Sequence, residues 1–292
     1  MMILLSIVVL AAAMYGACRV AVGVFLHPPA MSSMSIFPEQ FSLRYEKIAF
    51  RTRDGIELKG WFIPSKSGDS RTIIMCHGWG DNKGELLRDT NFLGEHGVFN
   101  LMYFDFRSHG ESGGEITTSG GLETIDFDAA VAWLQATKPE LAKRVGVFGL
   151  SMGASVTLVS LPKHPDLRCA TLESPFADYN TVVGRWVWNK ARIPYYPLVA
   201  LTLAILRARL NSPEIDGFDP IAAAAQITPR PLFVISGECD RLMTPGDVRR
   251  VFDAAREPKE LWMVPEARHA KCRETAGAAY DARVTEFFAR NL

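Results

Sequence analysis

Cysteine is scarce and scattered in this chain. There are five, at 18, 76, 169, 239 and 272, an odd number with no zinc-type spacing and no disulfide framework. They leave the redox compartment undefined, although the apolar runs around Cys76, Cys169 and Cys239 suit buried thiols. An excess of either charge is also missing: 32 basic residues meet 32 acidic ones, so no overall field favours nucleic acid. No internal repeat is visible. Nothing in the motifs implies a metal or a cofactor. A composition of 48% hydrophobic and 22% charged residues excludes disorder, and 292 residues hold one large α/β domain or two small ones.

Charge is absent altogether from Met1 to Cys18, and after Arg19 the apolar run continues to Leu26. About 25 such residues are enough to cross a bilayer of ~30 Å. The expectation is a single-span anchor over 1–26, as in a bacterial inner membrane, with its orientation open. A cleaved signal peptide is the rival, since Ala11-Ala-Ala13 offers a small-residue site. No Lys or Arg precedes the run, however, and cleavage there would leave an apolar tail. A helix packed onto the folded domain is the third reading. Residues 27–40, with Pro28-Pro29, read as linker.

Two alternating runs, Phe41–Phe50 and Ile56–Ile63, flank Asp54-Gly55 and predict a hairpin. From residue 72 continuous apolar runs alternate with amphipathic segments: Thr72–Cys76, Phe99–Phe104, Val145–Leu150, Cys169–Leu172, Pro231–Ile235 and Glu260–Val264. Strands apolar on both faces and separated by helices predict an α/β fold with a mostly parallel sheet of about eight strands. Leu122–Gln135, Arg249–Ala255 and Tyr280–Asn291 are predicted helices. Between about 178 and 217 the strand signal lapses, and Trp186, Trp188, Tyr195, Tyr196 and the charge-free run Ile193–Leu206 predict a helical cap. Its charges are skewed to Arg185, Lys190, Arg192, Arg207 and Arg209.

The pattern Gly-x-Ser-x-Gly occurs twice. Gly110–Gly114 lies in a polar stretch and marks Ser112 as loop. Gly149-Leu-Ser151-Met-Gly153 follows an apolar strand and opens an apolar helix, the layout of a nucleophile elbow. Ser151 is therefore the candidate nucleophile, and it needs a base and an acid. Asp240 lies just past the strand Pro231–Ile235, with Glu238 as the competing carboxylate and Glu173 a more distant one. His269 follows the next strand, whereas His27, His77, His96, His109 and His164 lack that position. His269 would accept the Ser151 proton and Asp240 would hold its tautomer. Two backbone N–H groups, at ~3 kcal/mol each, would stabilise the oxyanion. The candidates are Met152 and, from the loop His77-Gly-Trp79-Gly-Asp-Asn82, Trp79; His77 reads as a supporting hydrogen-bonding residue.

Over residues 41–292 these motifs resemble the α/β-hydrolase superfamily, in particular its membrane-anchored bacterial members grouped as serine aminopeptidase S33-like and BEM46-like. Asp105, Arg107, Gly110 and Ser112 match that superfamily's structural Asp-x-Arg-Gly-x-Gly-x-Ser loop, with Ser108 replacing the first glycine. The resemblance implies a serine hydrolase that forms an acyl-enzyme on esters or thioesters. A basic, aromatic cap favours an acyl or anionic small-molecule substrate, and an anchor beside it suggests lipid-like ones. A peptidase of the same fold and a non-catalytic membrane-tethered binding protein are the alternatives. Dehalogenase chemistry is disfavoured, because it needs a carboxylate in place of Ser151.

Overall fold

The apolar runs become strands where polar turns bound them. The computed structural model describes residues 2–26, 34–95 and 97–292. Among these the strands are β1 Glu46–Arg51, β2 Glu57–Ile63, β3 Arg71–Cys76, β4 Asn100–Phe104, β5 Arg144–Leu150, β6 Leu167–Glu173, β7 Leu232–Gly237 and β8 Lys259–Val264. They form one sheet in the order β1-β2-β4-β3-β5-β6-β7-β8. Only β2 runs against its neighbours. The edge strand β1 alternates buried and exposed residues, whereas β4 and β7 are buried throughout, as expected for a sheet covered on both faces. The first predicted strand is shorter than its pattern: Pro38–Phe41 forms a 3₁₀ turn, and pairing begins only at Glu46.

In chain order the helices are α1 Met2–Leu26, α2 Lys83–Thr90, α3 Phe92–Glu95, α4 Glu123–Thr137, α5 Met152–Ser160, α6 Tyr179–Ala191, α7 Ala200–Leu210, α8 Pro213–Asp216, α9 Pro220–Ala224, α10 Pro245–Ala254, α11 Cys272–Ala276 and α12 Ala278–Asn291. One face of the sheet packs against α4 and α5 through Phe127, Val131, Leu134, Val156 and Leu158. The other receives Leu86 and Leu87 of α2, Phe92 of α3, and Tyr280, Phe287 and Phe288 of α12. Helices α6 to α8 follow β6 as a cap. Four cysteines are buried, but Cys239 is exposed, because β7 ends at Gly237 and the chain has already turned outward.

The anchor expected at the N-terminus gains no support from the structure. Among the described residues no single helix is long and apolar enough to cross a membrane. The C-terminal part of α1 instead packs on the cap: Cys18, Val22 and Leu26 are buried, and Val22 and Leu26 cluster with Val183 of α6, Val199, and Leu203 and Leu206 of α7. The Cys18 thiol points at the Leu198 carbonyl (3.8 Å), and the Thr117 N–H donates to the Leu26 carbonyl (3.0 Å). The apolar character that suits lipid also suits this packing, so sequence alone does not separate them. Half of the expected linker, residues 27–33, lies outside the described residues.

Val22 tests this packing. An unpaired carboxylate in that cluster costs several kcal/mol. Val22→Asp is therefore expected to lower Tm by about 10 °C, at 2–4 °C per kcal/mol for a large domain. An unchanged melt, followed by circular dichroism, would remove α1 from the cap.

Candidate active site

The parallel register brings the C-terminal ends of five strands to one edge. Cys76 pairs with Gly149, Leu150 with Glu173, Glu173 with Ile235 and Gly237 with Val264. The residues that follow each strand therefore share one rim, where open α/β sheets place their chemistry. Ser151 stands at φ 54° and ψ −111°, a strained turn between β5 and α5. Both flanking glycines are required by close approach. A Cβ at 149 would lie 2.6 Å from the Ala154 Cα, and one at 153 would collide with the Cys76 carbonyl. The Ser151 N–H is tied to the Glu173 carbonyl at 2.8 Å.

Asp240, His269 and Ser151 converge there. Asp240 is buried, and its Oδ1 accepts the N–H groups of Leu242 (2.8 Å) and Met243 (2.9 Å). Its Oδ2 lies 2.8 Å from His269 Nδ1, and His269 Nε2 lies 3.0 Å from Ser151 Oγ. A carboxylate can only accept, so Nδ1 carries the proton and Nε2 offers its lone pair to the hydroxyl. Glu238 is exposed and Glu173 points elsewhere, so Asp240 is the carboxylate beside the imidazole.

The loop after β3 is held by two neutral histidines. Burial drives His77 well below the ordinary histidine range, and burial also lowers His109. His77 Nε2 accepts the Phe106 N–H (2.9 Å), leaving Nδ1 to donate to the Gly78 carbonyl (2.8 Å). His109 Nε2 accepts the Gly80 N–H (3.2 Å), and the Asp81 N–H turns to the Gly78 carbonyl. The Gly80 and Asp81 amides are engaged within the loop. Trp79 lines the same cavity as Ser151 and Met152. Met152 opens α5, where first-turn N–H groups lack helical partners. His164 contacts Asp128 away from the site, and His27 and His96 lie outside the described residues.

Ser112 is structural. Its hydroxyl donates to the Asp105 carbonyl (2.6 Å) and accepts the Lys59 N–H (2.9 Å). Ser108, which stands where the related loop carries glycine, has φ 58°, the left-handed conformation that glycine serves best. The buried Arg107 guanidinium bridges Asp126 and Asp54 and anchors this loop to α4 and the β1–β2 turn.

A cavity of about 310 Å³ opens over Ser151. Its walls are Trp79, Met152, Phe176, Val182, Trp186 and Leu242, with His269 at the edge and no acidic side chain among the described lining. Trp186 of the cap meets Trp79 of the loop edge to face at 5.7 Å. Ser119 completes one side, on a loop held by buried Glu123, whose carboxylate accepts from Thr117, both polar groups of Thr118, and Gly120.

The site's likeness to known proteins follows the same geometry. Residues 61–213 match the X-Pro dipeptidyl-peptidase (S15) family, more than half of the chain. The chain belongs to that family. This S15-family protein is an α/β-fold serine hydrolase, and its Trp79, Ser151 and Met152 fall inside the matched residues, whereas Asp240 and His269 fall beyond them. The matched family is S15, so the superfamily resemblance stands while its S33-like and BEM46-like refinement gains no support. The uncharacterized protein YfhR of Escherichia coli K12 is 26% identical over 98% of this chain and 93% of its own length. The uncharacterized protein YqkD of Bacillus subtilis is 27% identical over 83% and 79%. Among solved structures, the Pyrococcus furiosus esterase Pf2001 superposes with a TM-score of 0.76 at 29% identity, over 91% of this chain and 98% of its own.

Sequence reasoning set Glu173 aside, yet it joins the loops that carry Ser151 and His269. Its carbonyl holds the Ser151 N–H, while its buried carboxyl accepts from the Tyr280 hydroxyl (2.5 Å) and the Cys272 N–H (3.4 Å), three residues past His269. Burial raises this carboxyl above the usual range. Its signal was only an acid ending an apolar strand. Glu173→Ala is expected to lower kcat at least about tenfold, or 1.4 kcal/mol of transition-state stabilisation, with KM nearly unchanged. Glu173→Gln, which keeps an acceptor, is expected to retain most activity; equal loss in both would assign the carboxyl a different role.

Asp81 supplies a pH test. Burial, then Glu85 and Asp89, raises its carboxyl from 3.8 to about 6. The folded state then binds a proton more readily than the unfolded one between those values, so stability falls as pH rises through that window. Asp81→Asn is expected to raise Tm at pH 8 and to raise it much less at pH 4.5. An equal gain at both would sink the assignment.

Proposed function

We propose that this enzyme hydrolyses carboxylic esters or thioesters of small apolar acyl groups through Ser151, His269 and Asp240. The supporting observation is the unbroken chain of contacts from Asp240 Oδ2 through the imidazole to Ser151 Oγ, at 2.8 and 3.0 Å. Ser151 Oγ bonds to the substrate carbonyl carbon as its proton passes to His269 Nε2. The Trp79 and Met152 N–H groups receive the developing oxyanion. Collapse breaks the bond to the leaving oxygen or sulfur, which takes that proton from His269. Water then repeats the sequence on the acyl-enzyme, releasing the acid and free Ser151. Asp240 holds the tautomer and stabilises the imidazolium. The apolar cavity over Ser151 supports the acyl class, and the esterase name of the Pyrococcus relative agrees with it. The charge-free run Met1–Cys18 is the feature that would bring the enzyme to a membrane surface.

A peptidase reading is favoured by the family matched. A dipeptidyl-peptidase needs an acidic group to hold a cationic N-terminus, and the described lining of the cavity carries none. p-Nitrophenyl esters of rising chain length should therefore be cleaved in preference to X-Pro and aminoacyl anilides; preference for the anilides would reverse the assignment. Ser151→Ala should abolish labelling by a fluorophosphonate. Asp240→Asn should cut kcat by about 10⁴, as tautomer loss does in serine proteases. Glu238→Gln should change it little, and the opposite order would move the acid to Glu238.

A further inference from the structure

A second cavity, open and about 500 Å³, adjoins the one over Ser151 and shares only Leu242 and His269 with it. Ser151 lines the first cavity and not the second, and the two meet at Leu242 and His269. Arg241 and Arg268 line it, each adjacent in sequence to a member of the Asp240–His269 pair. Both are exposed, and neither side chain makes a hydrogen bond or ion pair among the described residues. Nearby arginines differ: Arg185 is turned to Asp247 and the Leu242 carbonyl, Arg207 to Asn180, and Arg273 to Asp281. Glu266 stands on the same wall, which leaves one net positive charge, and Asn189 of α6 adds an amide.

The chemistry of the triad gives this cavity a role. His269 Nε2 must pass the Ser151 proton to the leaving atom, so the leaving group lies on the imidazole side while the acyl group lies over Ser151. We propose that the substrate's leaving group is anionic, an alcohol or thiol bearing a carboxylate or phosphate, and that Arg241 and Arg268 hold it. This rests on the acyl-enzyme reading above. It also relocates the basic character that the sequence placed on the cap. Guanidinium groups suit planar or tetrahedral oxyanions because they donate two parallel N–H groups.

The test compares three butyryl substrates on the full chain: neutral p-nitrophenyl butyrate, 4-butyryloxybenzoate, whose leaving phenol bears a carboxylate, and butyryl coenzyme A, whose leaving thiol bears phosphates. Two exposed charge contacts predict that Arg241→Ala with Arg268→Ala lowers the ratio of anionic to neutral kcat/KM about tenfold. The fall should come mainly through KM, should shrink as salt rises, and should be partly restored by the Arg→Lys pair. A selective fall on the benzoate or on the coenzyme A ester supports the proposal and names the anion. An unchanged ratio, or equal loss on all three substrates, overturns it. If the wild-type enzyme resists fluorophosphonate and cleaves none of the three, the acyl-enzyme reading itself has failed, and this inference falls with it.

Discussion

A serine at φ 54° costs on the order of 1–3 kcal/mol of backbone strain, and the surrounding sheet must hold it there. The Ser151 turn is possible because β5 sits between β3 and β6, whose ends crowd it from both sides. The Cys76 carbonyl leaves no room for a side chain at 153, and the Glu173 carbonyl takes the Ser151 N–H. Remove that clamp and the hydroxyl loses its height above the sheet, and with it the contact to His269. Asp240 and His269 are placed by the same alignment, since β7 and β8 end in register with β6 and β5.

Much of this was legible in the chain because the relevant signals are local. Glycines flanking Ser151, an apolar strand before it and an apolar helix after it define the elbow without any long-range knowledge. Asp240 and His269 were readable as polar residues just past buried strands. Glu173 was not, because its role depends on Tyr280 and Cys272, brought to it only by the packing of α11 and α12. The path of α1 was hidden for a different reason. A charge-free helix satisfies lipid and protein alike, and the choice rests on α7 offering Leu203 and Leu206, which sequence cannot place.

Electrostatics divides the rim of the site into unlike halves. The cavity over Ser151 is walled by aromatic and aliphatic groups from the cap and the β3 loop, while the neighbouring cavity that shares Leu242 and His269 carries the ionic groups Arg241, Glu266 and Arg268. Arg185 of the cap is paired with Asp247, so it fastens α6 to α10. Counting basic residues along the cap therefore overstates what a ligand would meet there.

The packing of α1 also has a temporal side. Cys18 and its partner Leu198 are separated by 180 residues along the chain. At ribosomal rates of about 5–20 residues per second, roughly 10–40 s pass between the synthesis of one and of the other. Throughout that interval the apolar helix α1 has no cap to cover it. Whatever captures apolar nascent segments meets α1 before its own fold does, so the fate of this helix is decided by a race during translation as well as by the stability of the finished contact.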